Sequence, residues 1–355
     1  MSRREPVIVL VLGVGGTVSQ AILKALALSP LSTRIVAACV TPYAAGLFGA
    51  DRAYVSPRAD DPGFLQWLDD IVRRDHVHAI LSGVEEVLDV LAPEAEAIRD
   101  RTGSIAVVAE PSTLAVGRDK LTTCHWLRDR GLPHPRFADS GDTAAVEMLV
   151  EACGFPLLAK PRIGKASEGV ALLQQPSDLE RVRGLGGVVV QEYLGTPEEE
   201  FTAGCVCDAD GSLRATIVMR RQLRFGTTVQ AEVGEYPDVR TVAERVVSEL
   251  SPAGPCNVQL RLRDGEPVPF ELNVRFSGTA SARARLGFNE VDAVLRNLVL
   301  GEPVPDLSAV TKRVMLRYWN EVYVPRSAID ELERTGELAQ PDVREIVVED
   351  WGSSR

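Results

Sequence analysis

The chain holds 355 residues, which at roughly 150 per domain implies two to three domains and enough apolar side chain for a sizeable core. Hydrophobic residues make up 45% and charged residues 25% of it, a balance that excludes disorder, collagen and coiled coil. With 39 basic against 50 acidic residues the formal charge is −11, the wrong sign for holding nucleic acid or an anionic membrane by bulk charge, so neither is expected as a partner.

Arg3 and Arg4 ahead of VIVLVLGVGG imitate a twin-arginine signal, but the apolar run stops at Gly13 and reads better as a buried strand feeding a glycine turn. A helical stretch, TVSQAILKALALS, follows, then strand-like runs at 35–40, 78–81 and 105–109 separated by helical patterns at 64–74 and 85–99. This alternation predicts a parallel, Rossmann-like α/β sheet over residues 1–112. No stretch reaches the roughly 20 apolar residues of a membrane span.

At Pro111 and Ser112 the character changes. A helix is expected over 113–130, ending in Gly131, Leu132 and Pro133, with strands at 156–160, 169–173, 187–191, 201–207, 213–219 and 256–263. Turn signals at 208–211 and 263–266 predict hairpins, so this half reads as α+β with antiparallel sheet. Helices at 238–251 and 279–300 complete it, and residues 306–355 form a short mixed tail with one strand-like run at 313–324. Cys39, Cys124, Cys153, Cys205, Cys207 and Cys256 make no CxxC pair and the four histidines no HExxH, which argues against a zinc site and for reduced thiols in the cytoplasm.

Four regions carry residues suited to chemistry. GVGGTVSQ at 13–20 can turn a strand tightly onto a helix, but Val18 stands where the third dinucleotide-binding glycine would fall and no acid closes the second strand, so NAD is not expected. Lys120 in RDKLTT and Lys160 in FPLLAKP flank RIGKASEGV, whose Gly164, Ser167 and Gly169 supply backbone and hydroxyl donors beside two point charges, a composition suited to polyphosphate. No GxxxxGK[ST] occurs, so the loop is not a Walker A. VVVQEYLGTPEEEF is an apolar strand ending at Gln191 and Glu192, then Leu194 and an acidic run to Glu200, which reads either as a nucleoside contact or as a solvated loop.

The fourth region, NVQLRLRDGEPVPFELNVRFSGT, is the most specific. Period two puts Glu271, Asn273 and Arg275 on one strand face, and the hairpin at Asp264 and Gly265 brings Gln259 across from them. Hard oxygen ligands beside an arginine suit Mg²⁺ bridged to phosphate.

In this order, and with GFNEVDAVLRNLVLGEPVP further on, the four regions resemble the ATP-grasp superfamily, most of all its carbamoyl-phosphate-synthase-large-chain-like branch of single-chain ligases, over residues 7–305. The resemblance implies a Rossmann-like pre-ATP-grasp domain at 1–112, then an ATP-grasp domain at 113–305 with antiparallel sheets in two lobes (113–187 and 188–305), and a C-terminal segment at 306–355. It also implies that Lys120 and Lys160 hold ATP phosphates under the 162–170 loop, that Glu192 and Leu194 form the adenine hinge with Glu200 at the ribose, and that Gln259, Glu271 and Asn273 bind Mg²⁺, with Mn²⁺ as a substitute. Arg275 would face the transferred phosphoryl. Ser277, Gly278 and the following backbone N–H groups are expected at the substrate acid, with Arg283 as its second partner or, equally, as an exposed surface residue.

The activity implied is ATP-dependent ligation of a small carboxylic acid, an amino acid or related metabolite, to an amine through an acyl phosphate. Phosphoryl transfer needs positioning and charge neutralisation more than a protein nucleophile, which suits these residues. Activation of bicarbonate and a nucleotide-binding subunit without ligase activity are the alternatives. Small-molecule acid and amine are the expected partners, with a homodimer left open.

Overall fold

In the computed structural model, residues 5–164, 168–309, 313–339 and 346–348 are described. The chain opens with β1 (Val7–Leu12), α1 (Thr17–Leu26), β2 (Thr33–Cys39), β3 (Arg52–Val55), α2 (Phe64–Arg74), β4 (Ala79–Ser82), α3 (Glu85–Thr102) and β5 (Ile105–Ala106). The five strands lie parallel in the order β3-β2-β1-β4-β5. Central β1 pairs on both sides, Val9 with Ile35 and with Ala79, so it is buried almost throughout, as a strand covered on both faces must be. α2 spans the expected residues because Phe64, Leu68, Ile71 and Val72 form one apolar stripe. β3, a run of four residues, gave no periodic signal. At Gly13, φ is +70° and a Cβ would sit 2.2 Å from Val84 Cγ2, so only glycine closes this strand-to-helix turn.

The helix expected over 113–130 is two helices, α4 (Pro111–Arg118) and α5 (Lys120–Asp129), parted at Asp119. Asp119 caps α5 by accepting from the Leu121 and Thr122 backbone and is paired with Arg162. There follow β6 (Phe137–Asp139), α6 (Thr143–Cys153), β7 (Leu157–Pro161), β8 (Ala171–Leu173), α7 (Pro176–Leu179) and β9 (Val188–Glu192). These strands form an antiparallel sheet in the order β6-β9-β7-β8. The expected lobe boundary at 187/188 is therefore corrected. β9 is an inner strand of the first lobe because its apolar residues pair on both edges, and the crossing lies between Glu192 and Glu200.

The second lobe comprises β10 (Glu200–Cys207), β11 (Leu213–Arg224), β12 (Thr227–Val233), α8 (Pro237–Leu250), β13 (Gly254–Arg263), β14 (Glu266–Asn273), α9 (Ala280–Arg285) and α10 (Glu290–Val294). The turn between β13 and β14 has Asp264 at φ 53° and Gly265 at φ 87°, both left-handed, as a tight hairpin requires. The single helix expected over 279–300 is broken because Gly287 takes φ +99° and approaches Ser308 O so closely that a Cβ would stand 2.4 Å away.

The C-terminal segment contributes β15 (Val314–Leu316), β16 (Val322–Tyr323), α11 (Arg326–Thr335), β17 (Glu337–Ala339) and β18 (Val347–Val348). It is built into both sheets. β15 extends the large antiparallel sheet, ordered β14-β13-β10-β11-β12-β15, while β17 adds an antiparallel edge to β3 of the first sheet. Ile329 and Leu332 of α11 share one core with Val7 and Ala53 of the first sheet and with Ile217 and Phe288 of the second lobe. No helix among the described residues is long and apolar enough to cross a membrane. Leu332→Ala should thus behave as a core truncation and not as a tail mutation, lowering stability by about 2–4 kcal/mol in urea unfolding; a loss under 0.5 kcal/mol would show that α11 merely rests on the surface.

Candidate active site

A cavity of ≈ 190 Å³ lies between the two lobes. Lys160, the penultimate residue of β7, enters it almost wholly buried, its Nζ 4.9 Å from the centroid of the Phe270 ring. Burial pushes its pKa down to about 8 against the pull of the Glu271 carboxylate. Lys120, first residue of α5, donates through Nζ to Gly164 O at 3.0 Å, and its backbone N–H donates to Arg162 O. Lysine and covering loop are thereby tied together. Gly169 stands at φ +69°, where a Cβ would meet Pro161 Cγ at 2.8 Å. Ser167 lies outside the described residues.

Glu192 and Leu194 line the same cavity at the crossing between lobes. The Glu192 carboxylate accepts from Arg263 Nη1 and from the Arg136 backbone N–H, both at 2.7 Å. Glu200 departs from expectation. Its Oε1 accepts from Nε and Nη2 of Arg221 and its Oε2 from Nε and Nη2 of Arg261, all between 2.7 and 3.0 Å. These four bonds fill the acceptor capacity of a carboxylate, so a ribose contact by Glu200 requires it to release one of the arginines. Glu200, 3% exposed, holds two arginines at the cavity wall.

The β13 and β14 register sets Gln259 opposite Glu271 and Asn257 opposite Asn273, as the hairpin reading requires. Gln259 Nε2 and Asn273 Nδ2 donate to Glu271 Oε1 at 3.0 and 3.1 Å. One carboxylate with two amides converging on it is a hard oxygen set that fits Mg²⁺ or Mn²⁺ once the amides turn their oxygens inward. Gln259 is the most committed of the three, because its Oε1 already accepts from Arg221 Nη2 at 2.6 Å and must exchange that arginine for the cation.

A second cavity of ≈ 290 Å³ shares Leu223, Gln259 and Glu271 with the first and opens toward the first domain. Its walls include Thr17 at the start of α1, Glu85 at the start of α3, the turn between β11 and β12, and Asn273, Arg275, Ser277 and Gly278. Arg275 reaches it as expected but already paired, donating to Glu85 Oε1 at 2.7 Å and to Phe276 O at 3.0 Å. Glu85 also binds Arg118. The sequence reading missed Glu85, whose signal was an acid at a helix start one residue beyond a glycine-containing turn.

Two further expectations are corrected. The N–H groups beyond Ser277 do not form an anion nest, because Thr279 N–H donates to Ser277 Oγ and Ala280 N–H to Ser277 O, closing the turn on itself. Arg283 is neither a substrate ligand nor a surface residue. It is fully buried, donates to both oxygens of Glu290 through Nη1, and donates through Nη2 to Thr202 Oγ1 and Asn257 Oδ1. It fits only because residue 204 is glycine, where a Cβ would be 2.1 Å from Arg283 Nη1. Asn257, also missed, lines the second cavity, and two residues before Gln259 period two already put it on that face.

Two family models match the chain, one described as ATP-grasp in the biosynthetic pathway with Ter operon over residues 186–322 and one described as the PylC-like N-terminal domain over 8–106. Among curated relatives, a formate-dependent phosphoribosylglycinamide formyltransferase of Synechococcus sp. (strain RCC307) is 26% identical over 313 residues, covering 82% of this chain and 77% of that one. A carbamoyl phosphate synthase large chain of Deinococcus radiodurans is 23% identical over 194 residues, 50% of this chain and 19% of that protein. Among solved structures, N5-carboxyaminoimidazole synthetase from Staphylococcus aureus with ADP shares the fold at TM-score 0.70 and 14% identity, covering 90% of this chain and 84% of that one. L-amino acid ligase from Bacillus licheniformis does so at 0.63 and 18%, covering 84% and 75%.

Two measurements follow from this geometry. Arg283→Ala leaves Glu290 charged and buried without a partner, so unfolding should show a loss of about 3–5 kcal/mol, whereas an arginine at the surface would leave stability unchanged. Lys160 is protonated in the free protein below its pKa near 8, and phosphate binding favours the ammonium. The Kd for ADP with Mg²⁺ should therefore be flat from pH 6.5 to 7.5 and rise above pH 8, by up to about tenfold per unit, with proton uptake visible as a buffer-dependent calorimetric heat. An equally flat profile through pH 9.5 would remove Lys160 from the phosphate site.

Proposed function

We propose that this chain, which carries an ATP-grasp domain behind a PylC-like N-terminal domain, joins a small carboxylic acid to an amine at the expense of ATP. The observation that carries this reading is the shared wall. Gln259 and Glu271 belong to both cavities, so a nucleotide among the lysines and an acid beside Arg275 meet across one set of oxygen donors. The acid's carboxylate oxygen attacks the γ-phosphorus, the bond to the β,γ-bridging oxygen breaks, and acyl phosphate and ADP result. An amine then displaces phosphate and forms the C–N bond.

The chain's own groups suffice for the positioning. Lys160 and Lys120 hold the phosphates from the first lobe, Glu192 and Leu194 at the hinge take the base, and Glu271 with Asn273 and Gln259 holds Mg²⁺, which when bound supplies charge neutralisation at the transferred phosphoryl. Arg275, fixed by Glu85, stands on the acid side of the wall. Relatives and neighbours printed as formyltransferase, N5-carboxyaminoimidazole synthetase and L-amino acid ligase support the general chemistry. The likeness to carbamoyl phosphate synthase large chain and to a biotin carboxylase domain solved with bicarbonate favours a second reading, in which bicarbonate is the acid.

Purified protein with ATP and Mg²⁺ should release ADP only when a competent acid from a panel of amino acids, hydroxy acids and amines is added. Carbon label from bicarbonate in the product selects the second reading, and ADP release indifferent to every acid and to bicarbonate sinks both in favour of a nucleotide binder. Lys160→Ala should weaken nucleotide or transition-state binding by about 1.5–3 kcal/mol. Glu271→Gln should cut turnover sharply with partial recovery at raised Mg²⁺ or with Mn²⁺; unimpaired turnover at low Mg²⁺ contradicts its metal role. Arg275→Lys should reduce acid-dependent ADP formation far more than ATP affinity, and equal losses would place Arg275 at the nucleotide.

A further inference from the structure

The second cavity has two ends. At one it shares Gln259 and Glu271 with the nucleotide cavity. At the other it shares Arg317, just beyond β15, with a separate cleft between the end of α1, α9 and the β15 edge. Arg317 therefore stands across the cavity from the metal donors. Its backbone N–H donates to Val229 O at 2.8 Å, continuing the ladder of β15 on β12, so its Cα is fixed by the sheet.

The three arginines of this cavity differ in charge balance. Arg221 is ion-paired to Glu200, which it shares with Arg261, and Arg275 to Glu85, which it shares with Arg118. Arg317 donates through Nη2 to Gly278 O at 2.7 Å and forms no ion pair among the described residues. A carbonyl oxygen satisfies one N–H and no charge, which leaves most of the guanidinium fork open. Partial burial disfavours that charge, so an anion entering the cavity gains more by pairing with it than it would in open water. The reacting carboxylate has to reach the γ-phosphate at the opposite end, so it is not the anion that Arg317 receives.

We infer that Arg317 is the anchor for a second anionic group on the substrate acid, and that the acid is accordingly a dianion, a dicarboxylate or a phosphorylated carboxylic acid. The inference rests on the ligase reading of the same site and deepens it to a substrate class. It also gives the C-terminal segment a task in specificity. Planar bidentate pairing with carboxylate or phosphate is what an arginine offers there and a lysine does not.

The test is calorimetric titration of the full chain, saturated with ADP and Mg²⁺, with propionate, succinate and 2-phosphoglycolate. At least one dianion should bind tenfold or more tighter than propionate, succinate pointing to a second carboxylate and phosphoglycolate to a phosphate. Arg317→Gln should bring all three to within about twofold of one another, Arg317→Lys should retain part of the preference, and both should keep wild-type affinity for ADP. Arg313→Gln, at an exposed position nearby, should change nothing. Equal binding of propionate and both dianions by the wild type, or an undiminished preference in Arg317→Gln, overturns the inference while leaving the ligase reading standing. Failure of the wild-type chain to bind ADP with Mg²⁺ overturns that reading and the inference with it.

Discussion

A phosphate-handling cleft has to gather cations in partly dry surroundings before any phosphate arrives, and the carboxylate of Glu200 is where this chain resolves the difficulty. Buried at the start of β10, it binds Arg221 from β11 on one oxygen and Arg261 from β13 on the other. Three adjacent strands of the large sheet are thus pinned at one point, and two guanidinium groups share one carboxylate, which leaves the cluster with one net positive charge facing the cavities. Arg221 then hands the constraint on, because its Nη2 fixes Gln259, which fixes Glu271. The oxygen donors on the wall between the cavities are held in place by a chain of polar contacts that begins at Glu200.

Much of this arrangement could be read from residue order. Alternation along a strand is a strict period, so Glu271, Asn273 and Arg275 had to share a face, and the turn at Asp264 and Gly265 had to set Gln259 beside them. Arg283 escaped the same reasoning because helix periodicity says which residues share a face and not what that face meets. Its burial depends on Gly204 opposite it on β10, 79 positions earlier in sequence and visible as a partner only after folding. Glu200 was named at the cavity it lines, but an acidic run gives no sign that its carboxylate binds two arginines from neighbouring strands. Of the C-terminal segment the strand-like run at 313–324 was legible, but the partners were not, because β15 and β17 are three residues long and pair with β12 and β3, far away along the chain. Short edge strands derive their stability from the sheet they join and carry little pattern of their own.

The second cavity belongs to no single domain. Glu85 comes from the first sheet's α3, Arg275 from just beyond β14 and Arg317 from the C-terminal segment. Ile329 and Leu332 join the same apolar cluster that lies between the first sheet and the second lobe. A displacement of the first domain would release Arg275 from Glu85, so relative domain position and the charge state of the acid end are one variable.

The cations of the two cavities fall into two groups by the same logic. Arg221, Arg261 and Arg275 are paired to Glu200 and Glu85 and serve to shape walls, whereas Lys120, Lys160 and Arg317 have no ion pair among the described residues. These unpaired cations flank the loop at 162–170 at one extreme and line the far end of the second cavity at the other. Asn257 completes the lining by a different route. Arg283 can only donate, and it and Thr202 both approach the Asn257 oxygen at 2.6 and 2.7 Å, so the amide cannot flip and its NH₂ is left on the cavity side. A buried Arg283/Glu290 pair adds little stability over an apolar pair of the same volume. What it does secure is the orientation of one hydrogen-bond donor beside the metal donors, at a position where an acyl phosphate presents acceptors alone.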